Sequence, residues 1–338
     1  MCSNSRVRWD GLRSGEEPSL FDVRLLGAPG RVVSSPQFAG ITFYEIFARS
    51  ILNRVPDSSR VPFRWTINPY RGCSHACRYC FARNTHTYLD LDAGSDFDSK
   101  IVVKVNAVEV LRRELARPSW RREHVAMGTN VDCYQRAEGR YRLMPGIIEA
   151  LADYRTPFSI LTKGSLVLRD LAALQHAARR VDVSTAVSVG FVDTELWRHV
   201  EPGTPSPLVR LEVCRALNEA GIRCGVLLAP ILPGLTDDDE HLAATIDAIR
   251  KTGATHVTPI VLHLRPGARE WYLAWLERHR PDLLGLYRRL YSRSAYAPPD
   301  YQRAVCAKVH ELALRAGIGA SEEARNSARW EHPRRQAS

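Results

Sequence analysis

Six short runs rich in β-branched and other apolar residues recur along the chain, at Arg64–Asn68, His124–Asn130, Phe158–Gly164, Asp182–Gly190, Cys224–Leu232 and His256–His263. Within the fifth, Val226-Leu227-Leu228-Ala229 is continuously apolar, the pattern of a strand buried on both faces of a parallel sheet. Helical patterns separate the runs. Asn106 precedes a helix with Glu109 at its third position and Leu111 and Leu115 beyond. Ser206-Pro207 offers an N-cap and a first-turn proline ahead of Leu208, Leu211, Val213 and Leu217, and Gly221 terminates. Thr236-Asp237 opens another helix through Leu242, Ile246 and Ile249, which Gly253 ends. Six strand–helix units in series predict an α/β fold with a parallel sheet.

The remainder of the 338 residues frames this core. Residues 1–60, punctuated by Gly27, Pro29, Gly30, Ser34, Ser35 and Pro36, read as an N-terminal extension, with Ile41–Leu52 as one short amphipathic helix. Residues 61–265 form the α/β core, and Lys100–Val105 adds a strand within its first crossover. Residues 266–330 read as a C-terminal helical segment broken at Pro281 and Pro298-Pro299, and the polar tail 331–338 as disordered.

A composition of 45% apolar and 25% charged residues excludes disorder, collagen and coiled coil for the whole. Met1–Asp10 lacks the apolar centre of a signal peptide. The longest apolar stretch, Val226–Leu235, is broken by Pro230, Pro233 and Gly234 and is short of the ~20 residues that span a bilayer. A cytoplasmic protein without membrane contact is the expectation. The net charge is +10, yet of 47 basic residues only five are lysine (Lys100, Lys104, Lys163, Lys251, Lys308) and the arginines are scattered, a skew of G+C-rich coding more than a nucleic-acid footprint.

Three of the eight cysteines fall within eight residues, as Cys73-x3-Cys77-x2-Cys80, in the loop after the first run. That is the carboxyl end of a parallel strand, where α/β folds build their sites. Clustered thiols in a chain of this size point to metal or cluster ligation rather than to disulfides. Two readings stand. Three thiolates can hold three irons of a cubane cluster and leave the fourth iron open. Alternatively, they bind zinc, with His75 or Cys133 as fourth ligand.

The loop, with aromatic Tyr79 before its last cysteine, resembles the radical S-adenosylmethionine (SAM) superfamily. Ile67-Asn-Pro-Tyr-Arg-Gly-Cys-Ser-His-Ala-Cys-Arg-Tyr-Cys-Phe-Ala-Arg83 is similar to the DNA-repair-photolyase-like subgroup related to spore photoproduct lyase, as is Met127-Gly-Thr-Asn-Val-Asp-Cys-Tyr-Gln135 with Glu138 nearby. The resemblance covers residues 60 to 320. It implies a partial (β/α)6 TIM-type barrel with a [4Fe–4S] cluster at its mouth, ligated by Cys73, Cys77 and Cys80. It implies S-adenosylmethionine on the open iron, and an electron from a flavodoxin- or ferredoxin-type reductant that cleaves it to a 5′-deoxyadenosyl radical. That radical takes hydrogen from a substrate the sequence does not specify, a nucleic acid among the candidates.

The resemblance also implies contacts to the cosubstrate. Tyr79 lies in the cysteine loop, and Gly128-Thr129-Asn130 occupies the place of the motif that meets the methionine amino group, with Asp132 two residues later than the usual acidic position. Lys163 and Ser188, at the ends of the third and fourth runs, match ribose- or carboxylate-contacting positions. Arg210 can pair with a carboxylate, and Ile231, opening Ile231-Leu232-Pro233-Gly234, flanks the adenine. Cys133 is a candidate hydrogen-atom donor, and His263 and Arg265 end the sixth run within reach of substrate. Each has a plainer alternative: a strand-end turn for Gly128, a solvated Lys163, a surface Arg210, a buried apolar Cys133, a structural His263. The competing function is a non-catalytic zinc- or iron–sulfur-binding protein.

Overall fold

The computed structural model describes residues 28–59 and 61–319. The calls on Met1–Asp10 and on the tail 331–338 lie outside the described residues. Eleven strands run in chain order: β1 Ala28–Ser34, β2 Thr42–Phe47, β3 Leu52–Arg54, β4 Trp65–Ile67, β5 Tyr70–Arg71, β6 Lys100–Lys104, β7 Val125–Met127, β8 Phe158–Thr162, β9 Val183–Ser188, β10 Cys224–Ile231 and β11 Val257–Val261.

The six sequence-derived runs are β4, β7, β8, β9, β10 and β11, all parallel, in a seven-stranded sheet of order β11-β10-β9-β8-β7-β4-β3. Only β3 is antiparallel, pairing Leu52 with Ile67 and Arg54 with Trp65. Burial on both faces is clearest in β7, where Val125, Ala126 and Met127 are all buried; in β10 Cys224, Val226 and Leu228 make one fully buried face, and Leu227 on the other is half-buried. This is the partial barrel expected, with helices between successive strands.

Residues Ile41–Leu52 are strand, not helix. β2 lies parallel to β6, with Phe43 opposite Ile101 and Ile46 opposite Lys104, and antiparallel to β1. With β5 these make a second, four-stranded sheet of order β1-β2-β6-β5. Thr42, Phe43, Tyr44, Ile46 and Phe47 are β-branched or aromatic, and the strand forms because β6, about 55 residues away, offers a partner that local periodicity does not reveal. Phe43 is fully buried, edge-on to Phe38 (5.1 Å) and Tyr141 (5.4 Å). The extra strand expected at Lys100–Val105 is β6.

The helix after β6 is Ala107–Leu115, but Asn106 does not cap it. The Asn106 amide instead clasps the backbone of Ala48, accepting from its nitrogen at 2.7 Å and donating to its oxygen at 3.0 Å. The helix Pro207–Glu219 starts as predicted, Ser206 Oγ accepting from Val209 N at 3.3 Å. The next starts two to three residues late, at Asp239, because Asp238 supplies the capping carboxylate. Three further helices, Ala268–His279, Leu284–Leu290 and Pro299–Arg315, follow β11, and the last packs on β11 and on Asp239–Arg250. No described helix is long and apolar enough to cross a membrane.

Buried Glu114, on the helix after β6, holds the two sheets in register. Its Oε2 accepts from Ile51 N (3.0 Å) and Leu52 N (2.9 Å) at the start of β3. Glu114→Ala would strip two buried amides of their acceptor, at about 1–3 kcal/mol each when left unpaired. The expected outcome is a loss of about 2–4 kcal/mol in urea unfolding, with Glu114→Gln losing less because an amide oxygen still accepts.

Candidate functional site

The cysteine loop leaves β5 through Gly72, whose φ of +79° puts the chain in the left-handed region. Three neighbours then clamp the loop. Cys73 N donates to Phe97 O (2.9 Å) on the first crossover. Gln135, after β7, accepts from Ser74 N and donates to Gly72 O, both at 2.9 Å. From beyond β9, Val200 O accepts from Arg78 N (2.9 Å) and Gly203 N donates to His75 O (3.0 Å). A Cβ on Gly203 would stand 2.1 Å from Ser74 O, so only glycine permits this approach. Below the loop Arg83, fully buried, reaches Cys77 O with Nε (3.2 Å) and Nη2 (2.9 Å) and pairs with Asp98 at 2.8 Å.

Cys73 and Cys77 are buried and Cys80 is half-buried, and none is in a disulfide. Burial pushes all three thiols up, and each of Cys73 and Cys77 is raised further by the thiols beside it. They therefore lie within electrostatic reach of one another. Yet no three His, Cys, Asp or Glu side chains among the described residues converge tightly enough to hold one metal ion. Three soft thiols on one loop, with polar groups beside them, are the donor set that an iron–sulfur cubane with an open iron takes. The donor set fits the cluster.

At the mouth of the barrel a carboxylate not singled out in the sequence gathers four of the predicted residues. Glu201, fully buried, accepts from Tyr79 OH and from Arg210 Nη2, and Lys163 Nζ stands 3.6 Å from it. Lys163 Nζ also bonds Ser188 Oγ, which donates to Ala229 O at 3.0 Å, and Arg210 Nη1 donates to Ser188 O at 2.6 Å. Burial pushes the Glu201 carboxyl up, but the charges of Arg210 and Lys163 and the hydrogen bonds of Tyr79 and Arg210 outweigh it and hold the group below its ordinary value. Arg210 is buried, not a surface residue, and its guanidinium is committed to Glu201 and Ser188 except at Nε, which has no partner. The sequence signal for Glu201 is faint: one acidic residue in Val200-Glu201-Pro202-Gly203-Thr204, in the loop whose glycine abuts the cysteines.

A second buried carboxylate, Asp132, replaces the acidic residue expected at the end of the Gly128-Thr129-Asn130 piece. Its Oδ1 accepts from Thr162 Oγ1 (2.7 Å) and Tyr134 N (2.8 Å), and Oδ2 accepts from Lys163 N (2.6 Å) and lies 3.3 Å from His75 Nδ1. Burial raises it and His75 more than offsets that. Gly128 has φ +82°, and a Cβ there would sit 1.7 Å from Leu161 O, so the turn out of β7 requires glycine. Beyond it Thr129 Oγ1 is buried without a partner, as is Asn68 Oδ1 just past β4. Two orphaned polar atoms at the carboxyl ends of neighbouring strands are what a polar cosubstrate at the mouth would satisfy. Asn130 is exposed, and Ile231 is fully buried at the end of β10.

Cys133 is fully buried within electrostatic reach of Asp132, Glu138 and Cys73, and burial raises its thiol. Glu138 accepts from Tyr70 OH (2.5 Å), Arg169 Nη2 (2.6 Å), Leu143 N (3.0 Å) and Met144 N (3.1 Å), tying β5 to the helix Leu143–Asp153. His263 and Arg265 sit apart from the Glu201 group. The His263 ring lies 5.2 Å from Phe81 and 5.4 Å from Tyr296, its Nδ1 buried and unpartnered, while Arg265 stacks over Phe81 at 5.4 Å.

Removing the Glu201 charge leaves Arg210 and Lys163 buried against each other. Glu201→Gln is expected to cost about 3–5 kcal/mol in urea unfolding. The pH dependence gives a second reading. Because the folded-state value of Glu201 is depressed, its stabilisation is fully present above the ordinary value of 4.5 and is lost as pH falls through the folded value. The stability of Glu201→Gln should accordingly fall less steeply than wild type below about pH 4.5.

Comparison with known proteins places this geometry. The model of the radical SAM superfamily matches residues 67–246. An uncharacterized protein of Mycobacterium tuberculosis is 56% identical over 282 residues, 83% of each chain, and one of Methanocaldococcus jannaschii is 28% identical over 182 residues, 54% of this chain and 66% of the other. Among solved structures, spore photoproduct lyase complexed with dinucleoside spore photoproduct superposes with a TM-score of 0.61 at 18% identity, over 82% of this chain and 80% of that one. A double mutant of spore photoproduct lyase with bound AdoMet and dinucleoside spore photoproduct gives 0.62 at 17% identity over the same shares. These structural likenesses concern the fold. The family model spans just over half of the residues and takes in the whole cysteine loop, and the chain belongs to the radical SAM superfamily, whose enzymes work with a [4Fe–4S] cluster and S-adenosylmethionine.

Proposed function

We propose that this protein is a radical SAM enzyme in which Cys73, Cys77 and Cys80 hold a [4Fe–4S] cluster and the carboxyl ends of β7–β10 seat S-adenosylmethionine. The observation that carries the reading is the clamped loop of three free thiols beside orphaned polar atoms at the barrel mouth. When bound and reduced, the cluster supplies one electron that cleaves S-adenosylmethionine to methionine and a 5′-deoxyadenosyl radical, which takes a hydrogen atom from the substrate.

The chain's own groups position the cosubstrate. Thr129 and Asn68 offer polar atoms to its amino acid portion, and Lys163 and Ser188 offer theirs at the ends of β8 and β9. Arg210 acts through the Glu201 carboxylate, fixing Lys163 and Tyr79 instead of meeting the carboxylate of the cosubstrate. Ile231 supplies apolar wall. Cys133, fully buried within electrostatic reach of Cys73, is the candidate thiol for returning a hydrogen atom to a product radical. A one-electron reductant of flavodoxin or ferredoxin type is the partner. The substrate class is a nucleic acid, supported by the likeness in fold to spore photoproduct lyase bound to its dinucleoside photoproduct.

Reconstituted anaerobically with iron and sulfide, reduced and given S-adenosylmethionine, the protein is expected to form 5′-deoxyadenosine measurable by mass. A Cys73/Cys77/Cys80 triple-Ala variant should form none above background. A zinc-filled site without iron or sulfide, or equal product from the triple variant, would overturn the reading.

A further inference from the structure

Lysine is scarce here, and its partners can be accounted for one by one. Lys100 pairs with Asp96 at 3.0 Å, Lys163 with Glu201 at 3.6 Å, Lys251 with Asp247 at 2.6 Å and Lys308 with Asp239 at 2.7 Å. Among the five lysines, all described, Lys104 alone has no carboxylate within ion-pair distance of its ammonium group, which donates no hydrogen bond. It is half-buried at the end of β6.

The sheet register sets a second cation beside it. Arg71 pairs with Val102 across β5 and β6, and residues 100, 102 and 104 share one face of a strand. Arg71 therefore stands diagonally next to Lys104 at the β5 edge of the face opposite Ile101 and Val103, where Val102 and Ile46 pack with Leu89 and Leu91. Arg71 too has no carboxylate partner. Its guanidinium lies over the ring of Tyr88, 5.6 Å from the centroid, and Tyr88 is 56% exposed. Burial lowers Lys104 and the charge of Arg71 lowers it further, while the acidic group that Lys104 senses, Glu114, is occupied by two backbone amides. Two partly desolvated like charges held together cost stability, and a fold keeps such a pair where an anion relieves it.

The pair is also bolted to the cluster loop. Arg71 is two residues from Cys73, and Lys104 N donates to Pro69 O at 3.0 Å. We propose that Arg71 and Lys104, with the Tyr88 ring beside them, form an anion site at the β5 edge of the small sheet that takes a phosphate group of the substrate. The inference deepens the preceding functional reading, on which it rests, by giving the substrate a phosphate and a place to put it. Arg supplies a planar fork and Lys a point charge, the two usual phosphate donors, and an aromatic ring alongside accepts a planar base.

The test uses the full-length reconstituted protein under anaerobic conditions. Binding of a fluorescein-labelled single-stranded oligodeoxynucleotide is followed by anisotropy from 50 to 200 mM KCl, with adenosine monophosphate and inorganic phosphate as unlabelled competitors. Arg71→Gln/Lys104→Met is expected to weaken oligonucleotide binding at least tenfold at 100 mM KCl. It should flatten the slope of log affinity against log salt by about 1.4, two contacts at ~0.7 each for a single strand. Lys104→Arg, which keeps the charge, should stay near wild type, and Lys251→Met, whose partner is remote Asp247, should not change binding. If the double variant loses adenosine monophosphate competition instead, the phosphate belongs to a small metabolite and the site stands. Equal affinity and slope in wild type and double variant, or no binding of any of the three probes by wild type, would overturn it. Failure of the radical SAM reading shows separately, as absent 5′-deoxyadenosine from wild-type protein.

Discussion

A buried carboxylate is the knot of this molecule. Glu201 brings the aromatic residue of the cysteine loop, the lysine after β8 and the arginine of the following helix to one point. None of these groups is placed by its own segment. Tyr79 hangs from a loop with little regular structure, and Lys163 and Arg210 belong to separate strand–helix units. Two buried cations require an anion, and a buried anion requires donors, so each group's desolvation is offset only with all present. The loop carrying Glu201 reaches the cysteines because Gly203 lets two backbones touch.

Asp132 repeats the device on the other side of the loop, joining His75 to the ends of β7 and β8. The three cysteines thus hang between two carboxylate anchors, while Arg83 fills the floor and satisfies the carbonyl of the middle cysteine. Ordinary loops are mobile because their backbone groups are spent on water. Here the loop's amides and carbonyls are spent on fixed partners, which gives a flexible-looking, Gly- and Ser-containing segment the rigidity that cluster ligation needs.

The parallel sheet was legible because each strand and each helix announces itself locally, by apolar runs and by caps such as Ser206. The cysteine spacing was legible because it lies within eight residues. What stayed hidden was long-range. β2 reads as a helix until β6 is laid beside it. Asn106 sits at a capping position, yet its amide is spent on Ala48, 58 residues earlier. Glu201 is one acidic residue among many until the fold sets Tyr79, 122 residues before it, within a hydrogen bond. Sequence names the side chains that do chemistry by their type and spacing, but it does not name the counter-charges that hold them, because any carboxylate at the right place serves.

Among the described residues the main sheet has seven strands, with β3 and β11 at its two borders. At one, β3 is three residues long, with Asn53 and Arg54 exposed. At the other, Pro259 turns its carbonyl toward Cys306 on the covering helix, and since both main-chain groups of a strand residue face the same side, the amide that proline lacks is missing from the outer edge. A neighbouring chain seeking to extend the sheet finds too short a template at one border and a covered, donor-poor one at the other. An open sheet with such borders does not invite the edge-to-edge pairing that leads to polymerisation.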